Sequence, residues 1–201
     1  MINRIGNLLK KTLQPVIKVL ARRHVTPNAV TFTGFLFSLI GAFFFSRGWF
    51  AAGGIMLLLS GFSDMIDGEL SRRQNRVTRF GAFLDSTLDR AGESAVLTGI
   101  ALYLGALDVR YAVLAIVALS GSLLVSYTRA RAEGLDLPGR VGIFERGVRF
   151  FFLLTGSFAG PRVMVVVLLI LVLGTLSTVI HRMIFVYRNC RTTEPDRTSG
   201  Q

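Results

Sequence analysis

Long apolar blocks along the whole sequence are the feature that most restricts how this chain can fold. Six blocks stand out, at Ala29–Ser46, Phe50–Ile66, Phe83–Leu107, Ala112–Tyr127, Phe150–Ala159 and Val163–Tyr187, and the fifth extends back to about Ile143. A helix that crosses a bilayer needs about 20 mostly apolar residues, and several blocks reach that length only with their polar ends. The pattern predicts an all-α integral membrane protein with six transmembrane helices.

The first 26 residues have a different pattern, in which apolar residues such as Ile2, Ile5 and Leu9 recur at helical spacing with lysines between them. This predicts an amphipathic juxtamembrane helix over residues 1–26, lying either on the membrane surface or against the rest of the protein. Its dispersed charges do not fit a cleavable signal peptide. Residues 27–188 are predicted to form the six-helix membrane domain, and residues 189–201 a disordered polar tail.

Positive charge is unevenly distributed along the chain, which has 23 Lys and Arg residues against 12 Asp and Glu residues. If the N-terminus is inside, most of the basic residues lie on inner segments, and the three outer turns carry only Arg47, Arg110 and Arg162. The positive-inside rule therefore predicts a multi-pass protein of the cell membrane with both termini in the cytoplasm. The excess charge fits anionic membrane lipids or a phosphorylated substrate, and the apolar blocks argue against nucleic acid.

Four aspartates interrupt the apolar pattern at the facing ends of the second and third predicted spans. Asp64 and Asp67 are three residues apart, and Asp85 and Asp89 are four apart, so each pair shares one helix face. The short basic loop between the two helices makes them neighbours, which brings the pairs to one cytoplasmic site. Such carboxylates suit hard divalent cations, Mg²⁺ or Mn²⁺, and two ions in one site can hold a phosphate.

The aspartates belong to a longer pattern, which reads Asp64-x-x-Asp67-Gly68-x-x-Ser71-Arg72, then eight residues, then Gly81-x-x-x-Asp85-x-x-x-Asp89. It resembles the signature of the CDP-alcohol phosphotransferases, except at Ser71, where that family usually has Ala. The six-helix layout and the N-terminal helix are similar too. The resemblance implies a homodimeric enzyme that transfers a phosphatidyl-type group from a CDP-linked lipid to an alcohol and releases CMP.

The resemblance also implies roles for individual residues. Two divalent ions are bound by Asp64, Asp67, Asp85 and Asp89, and Asp89 is also the general base for the acceptor hydroxyl. The CDP-linked lipid is bound by Asn28, Thr31, Asp67, Gly68, Arg72, Thr78 and Gly81. From the residues alone, Asn28 and Thr31 are equally well explained as the first turn of a helix, and the two glycines as packing or turn positions.

A second set of polar residues is basic and lies in the runs SYTRARAE and FERGVR and in the last helix. These runs resemble the phosphatidylinositol-phosphate synthase branch of the family, although Gly147 stands where that branch often has Pro. The resemblance implies that the acceptor is a phosphorylated alcohol, inositol phosphate, and that its phosphate is bound by Ser126, Arg129, Arg131, Arg149 and Arg182. Arginine forks suit phosphate oxygens. Positive-inside anchoring and snorkelling are the alternative explanations of these arginines.

Other functions are compatible with parts of the sequence. A phosphatidylglycerophosphate synthase would use glycerol 3-phosphate as acceptor. A membrane metal or proton transporter would also carry aspartates in its helices, but near mid-membrane on several of them, whereas here the aspartates gather at one face. A non-catalytic scaffold that binds anionic lipid would explain the arginines and leave the four aspartates without a role.

Overall fold

The computed structural model describes residues 14–139 and 141–193, the last three by their backbone alone. The described residues form helices and connecting segments and contain no strand. Helix α1 covers residues 14–22, and six further helices follow: α2 Pro27–Ser46, α3 Phe50–Arg73, α4 Arg79–Leu107, α5 Val109–Glu133, α6 Arg146–Ala159 and α7 Pro161–Thr193. Their contacts divide the chain into two units, residues 1–99 and 100–201, with α4 contributing to both.

Each predicted block corresponds to one helix, and most helices extend beyond their blocks. Helix α3 continues past Ile66 to Arg73, and α4 begins at Arg79 rather than at Phe83. Such polar helix ends are invisible to an apolar pattern. The predicted extension of the fifth block back to about Ile143 is wrong, because residues 141–145 are not helical and α6 begins at Arg146.

Four of the described helices are long and apolar enough to cross a membrane: α2, α3, α5 and the Pro161–Cys190 part of α7. Helix α4 has 29 residues, a sufficient length, but it carries charged side chains along its first half. Helix α6 has only 14 residues. The chain is therefore an all-α protein with several membrane-spanning helices, and the six predicted spans depend on α4 and α6.

Within the first unit, the described part of the N-terminal region packs on α2 and α3. Ile17 of α1 is 1% exposed and lies in one apolar cluster with Val30 of α2 and Leu70 of α3. The side chain of Arg73 also donates a hydrogen bond to that of Gln14. Residues 14–22 therefore follow the second sequence interpretation, a helix against the protein, while residues 1–13 and 194–201 lie outside the described residues.

Helices α2 and α3 pack closely because at least one of the two facing residues is small at each of the following contacts. A Cβ atom on Gly34 would lie 2.9 Å from the Cβ of Ser63, and one turn further along α2 the hydroxyls of Ser38 and Ser60 are 2.9 Å apart. At the far end the ring of Phe45 lies where a side chain on residue 53 would stand, so only glycine fits there. Small residues at contact positions are the usual means of close helix packing in membranes.

Residues 100–201 form the second unit, in which α7 packs against α5 and α6. Gly121 leaves room for the side chain of Thr175, and Met164 is fully buried beside Gly156. The connection between α5 and α6 is attached to α7, because the backbone N–H of Phe144 donates to Thr178 Oγ1 at 3.2 Å. The same connection supplies main-chain carbonyl oxygens that accept hydrogen bonds from Arg149 and Arg182.

Candidate active site

Three of the four predicted aspartates lie together in the first unit. Asp64 and Asp67 are one turn apart on α3, and Asp85 lies in the second turn of α4. One carboxylate oxygen from each of the three lies within 4.8 Å of the other two. Asp67 is 7% exposed, and the other two are half-buried. We call these residues the carboxylate group.

The composition of the carboxylate group fits a divalent metal ion. Three carboxylates held this close repel one another, and burial adds a desolvation cost that a bound cation relieves. The ligand atoms are all oxygens, which suits Mg²⁺, Mn²⁺ or Ca²⁺ better than a metal that prefers nitrogen or sulfur. The prediction of a divalent metal site therefore agrees with the residues present. The identity of the ion and the number of ions belong to the proposal below.

Asp89 stands one turn after Asp85 on α4 and is half-buried. Among the described residues it is not a member of the carboxylate group, whose oxygens lie within 4.8 Å of one another. The sequence thus predicted four convergent carboxylates, and the structure brings three of them within ligand distance. A separate position for Asp89 is compatible with a role of its own, which the sequence assigned as general base.

A pocket opens beside the carboxylate group, within the first unit. Its lining consists of Pro27, Asn28, Thr31, Asp67, Gly68, Ser71, Arg76, Val77, Thr78, Gly81, Ala82 and Asp85. Six of the residues predicted to bind the CDP-linked lipid are in this set, and the seventh, Arg72, is not. The same wall therefore carries two of the metal-ligand candidates and most of the donor-binding candidates.

Glycine at position 81 is explained by its surroundings. A Cβ atom there would lie 3.0 Å from Thr78 Oγ1 and 3.3 Å from Asn28 Oδ1. Thr78 Oγ1 also accepts a hydrogen bond from the N–H of Gly81 at 2.9 Å, which caps the start of α4. Around Gly68, by contrast, the protein leaves ordinary space, since the nearest atom to such a Cβ is Arg72 Nη1 at 3.7 Å. A small residue at 68 keeps that side of the pocket open to a ligand.

Two arginines near the pocket differ in their surroundings. Arg72 donates to Glu69 Oε2 at 3.1 Å, and 58% of its side chain is exposed. Arg76, four residues further on, lines the pocket and is exposed. Sequence reasoning missed Arg76 because it falls in the unspecified stretch between the two halves of the motif. The sequence does place Arg76 in the short connection between the two helices that carry the aspartates, and this position could have indicated it.

Thr31 was predicted to bind the donor, and the structure shows what its hydroxyl does. Thr31 Oγ1 lies 2.7 Å from Asp67 Oδ2 in a buried hydrogen bond that joins α2 to α3. The same hydroxyl is 3.1 Å from the carbonyl oxygen of Pro27. Thr31 therefore contacts a candidate metal ligand directly, which the sequence did not indicate because residues 31 and 67 are far apart along the chain.

The predicted acceptor residues lie in the second unit and have unequal environments. Arg129 forms an ion pair with Glu133 at 2.9 Å, Arg131 is exposed, and Ser126 is half-buried. Arg149 is 2% exposed, and its Nη1 donates to the carbonyl oxygen of Phe144 at 3.0 Å. Its partner lies in the connection between α5 and α6, which also supplies a different partner to Arg182, the carbonyl oxygen of Val141.

Arg182 is the most enclosed of these side chains, at 1% exposure. Its Nε and Nη2 both donate to the carbonyl oxygen of Val141, at 3.1 and 2.8 Å. Its Nη1 donates to the carbonyl oxygen of Val125 and, at 3.3 Å, to Thr128 Oγ1. A guanidinium has five N–H donors, so these contacts use four of them. The side chain joins α7 to α5 and to the connection before α6.

Comparison with known proteins decides the family. A family model described as CDP-alcohol phosphatidyltransferase matches residues 24–187. This chain belongs to the CDP-alcohol phosphatidyltransferase family. The resemblance inferred from the aspartate motif is thereby confirmed, and with it the prediction of an enzyme of phospholipid synthesis. Together with the apolar helices, family membership identifies a multi-pass membrane protein.

Two curated relatives cover nearly the whole chain. A phosphatidylinositol phosphate synthase of Cutibacterium acnes is 38% identical over 90% of this chain and 94% of its own length. An archaetidylinositol phosphate synthase of Methanothermobacter thermautotrophicus is 34% identical over 95% of this chain and 96% of its own. Both names describe the synthesis of a lipid that carries inositol phosphate, and the names differ in the lipid, phosphatidyl in one and archaetidyl in the other.

Solved structures of one family member are similar to this chain as well. The phosphatidylinositol phosphate synthase of Mycobacterium tuberculosis, solved with CDP-DAG bound, has a TM-score of 0.80 and 32% identity, covering 86% of this chain and 92% of that chain. Another structure of the same enzyme, in complex with manganese and citrate, also has a TM-score of 0.80. That enzyme thus binds a CDP-linked lipid and a divalent metal.

Proposed function

We propose that this CDP-alcohol phosphatidyltransferase family member transfers a phosphatidyl-type group from a CDP-linked lipid to inositol phosphate and releases CMP. The observation that carries the proposal is the shared wall of the pocket, where Asp67 and Asp85 of the carboxylate group stand beside Asn28, Gly68 and Gly81. The names of the relatives support inositol phosphate as the acceptor. Because one relative is a phosphatidyl and another an archaetidyl enzyme, the proposal covers diacyl and ether donors.

The carboxylate group, joined by Asp89, would hold two divalent ions, Mg²⁺ or Mn²⁺. Bound there, the ions would supply the positive charge that holds the donor pyrophosphate and stabilises the charge developing on its oxygens. The small residues at 68 and 81 would let the cytidine diphosphate approach the backbone, with Asn28, Thr78 and Arg72 around it. These residues bind and orient the donor, a contribution of positioning rather than of covalent chemistry.

Asp89 would take the proton from the acceptor hydroxyl. The hydroxyl oxygen then bonds to the phosphorus on the lipid side of the pyrophosphate, the bond from that phosphorus to the bridging oxygen breaks, and CMP leaves with the electron pair. A carboxylate within hydrogen-bond reach of the hydroxyl is the general base that this reaction requires. The phosphate of the acceptor would be bound by Ser126, Arg129, Arg131, Arg149 and Arg182, whose guanidinium groups suit phosphate oxygens.

The membrane explains the location of this chemistry. We expect six spans, with α4 and α6 crossing beside the four apolar helices, and a homodimeric assembly. The distribution of arginines favours an orientation with both termini and the aspartates on the cytoplasmic side. The donor would keep its chains in the bilayer while its headgroup enters the pocket, and the water-soluble acceptor would arrive from the cytoplasm.

The test of the proposal is CMP release by the purified full-length protein supplied with CDP-diacylglycerol and Mg²⁺. Inositol phosphate, glycerol 3-phosphate, free inositol and serine are offered in parallel. Of the four acceptors, we expect only inositol phosphate to support CMP release, and we expect this release to stop when the metal is chelated. Release with glycerol 3-phosphate instead would assign the other acceptor, and no release with any of the four, by folded protein, would contradict the proposal.

Arg76 provides a prediction about donor binding. Because Arg76 lines the pocket whereas Arg72 is paired with Glu69, we expect Arg76→Gln to raise the KM for the CDP-linked lipid about tenfold, or about 1.4 kcal/mol. The effect is larger at low salt, because exposed charges are screened. The matched control is Arg79→Gln, an exposed arginine that is not part of the lining. Equal KM values for the two variants would exclude a donor contact for Arg76.

A further inference from the structure

The register of α2 against α3 determines what Thr31 contacts. Proceeding along α2 from Thr31, the contacts at Gly34 and Ser38 meet Ser63 and Ser60 of α3, each step forward matched by a step back. The contact between Thr31 and Asp67 is the first in this series and lies next to the pocket. The small residues fix the helices at a distance at which a threonine hydroxyl reaches a carboxylate. The hydrogen bond between Thr31 and Asp67 therefore follows from the packing of α2 on α3.

The chemistry of this bond gives Asp67 one defined orientation. A threonine hydroxyl has a single hydrogen, which either Asp67 Oδ2 or the carbonyl oxygen of Pro27 accepts. An ionised carboxylate is the stronger acceptor, and the shorter distance, 2.7 Å against 3.1 Å, is the one to Asp67. With Oδ2 bound in this way, rotation of the carboxylate is restricted. Thr31 is 9% exposed, so solvent offers Asp67 no equivalent partner at that position.

We infer that Thr31 is a positioning residue for metal binding: its hydroxyl orients the Asp67 carboxylate toward the ion, and it is not the contact to the CDP-linked lipid that the sequence motif implies. The inference rests on the proposed metal site. Groups that hydrogen-bond to metal ligands fix the ligand geometry, and their loss typically costs 10- to 100-fold in metal affinity. Thr31 stands in this relation to Asp67, on a helix that contributes no carboxylate to the carboxylate group.

The experiment measures Mn²⁺ affinity of the purified protein by electron paramagnetic resonance, without lipid and without turnover. Thr31→Val keeps the shape of the side chain and removes the donor, and we expect it to weaken Mn²⁺ binding by about 10- to 100-fold. Thr31→Ser keeps the donor and is expected to bind within about twofold of the unsubstituted protein. Thr33→Val is the matched control. Thr33 lies on the same helix and is exposed, and its hydroxyl donates to the carbonyl oxygen of Ala29 one turn earlier.

The outcomes separate this inference from the proposed function. Unchanged Mn²⁺ affinity in Thr31→Val overturns the inference, and a loss of CDP affinity in that variant, with Mn²⁺ affinity unchanged, assigns Thr31 to the donor instead. If Thr31→Val does not fold, Thr31→Ala is measured in the same way and has to show the same weakening. Failure of the unsubstituted protein to bind Mn²⁺ would contradict the metal site itself, and failure to release CMP despite normal Mn²⁺ binding would contradict only the reaction.

Discussion

Asp89→Asn is expected to lower kcat by about 100- to 10,000-fold while the protein still binds a divalent metal ion, because general-base catalysis contributes a factor of this size. The asparagine side chain has nearly the shape of aspartate and accepts no proton from a hydroxyl. Asp89 stands outside the carboxylate group, so the variant keeps the three proposed ligands Asp64, Asp67 and Asp85. The measurement is the rate of CMP release at saturating donor and acceptor.

Asp67→Asn is the matched comparison for this prediction. It removes a member of the carboxylate group and the partner of Thr31, so we expect loss of both Mn²⁺ binding and turnover. In Asp89→Asn we expect at least one Mn²⁺ and the affinity for the CDP-linked lipid to be retained. Full activity of Asp89→Asn would exclude Asp89 as the base. A loss of metal as complete as in Asp67→Asn would make Asp89 chiefly a ligand.

The helices and the approach of the aspartates were predictable from the sequence for simple reasons. Apolar blocks of sufficient length predict helices, and spacings of three and four place Asp64 with Asp67, and Asp85 with Asp89, on common faces. The short connection of residues 74–78 makes α3 and α4 neighbours. The spacing does not give the distance between the two faces, so it does not indicate that Asp64, Asp67 and Asp85 form the close group and that Asp89 stands one turn further on.

The contacts that depend on helix register were beyond the sequence. Gly34, Ser38 and Ser63 are visible as small residues, but a single sequence does not indicate which of them face each other. Only that pairing brings Thr31 to Asp67. The motif likewise specifies Arg72 and leaves Arg76 unspecified, whereas in the structure Arg76 lines the pocket and Arg72 is paired with Glu69.

The burial of the arginines was also not predictable, because the sequence is equally compatible with phosphate binding, positive-inside anchoring and snorkelling. Arg131 fits the expectation of an exposed positive-inside charge, whereas Arg182 is enclosed and bonded to main-chain carbonyls. A charge within an apolar run indicates only that it must find polar partners. Which partners it finds depends on the connection between α5 and α6, whose conformation includes the left-handed Gly142.

Arg182→Lys is expected to destabilise the protein by about 3 kcal/mol, although it conserves the charge. The guanidinium of Arg182 donates to Val141, Val125 and Thr128 from different sides, and a lysine ammonium does not reproduce this planar arrangement. The variant would keep a buried cation with fewer acceptors, and each hydrogen bond to a charged group contributes about 1.5–3 kcal/mol. For a chain of this length, 3 kcal/mol corresponds to a fall in the unfolding temperature of roughly 6–12 °C.

The measurement is thermal unfolding of the detergent-solubilised protein, followed by circular dichroism, together with the KM for the acceptor. The control is Arg131→Lys, an exposed position in the last turn of α5, for which we expect a change within about 0.5 kcal/mol. If Arg182 acts only as a positive charge for the acceptor phosphate, Arg182→Lys unfolds at the normal temperature and keeps its KM, because the charge is conserved. A lower unfolding temperature together with a raised KM means that the side chain shapes the acceptor site by holding the connection between α5 and α6, because the charge alone is conserved in the variant.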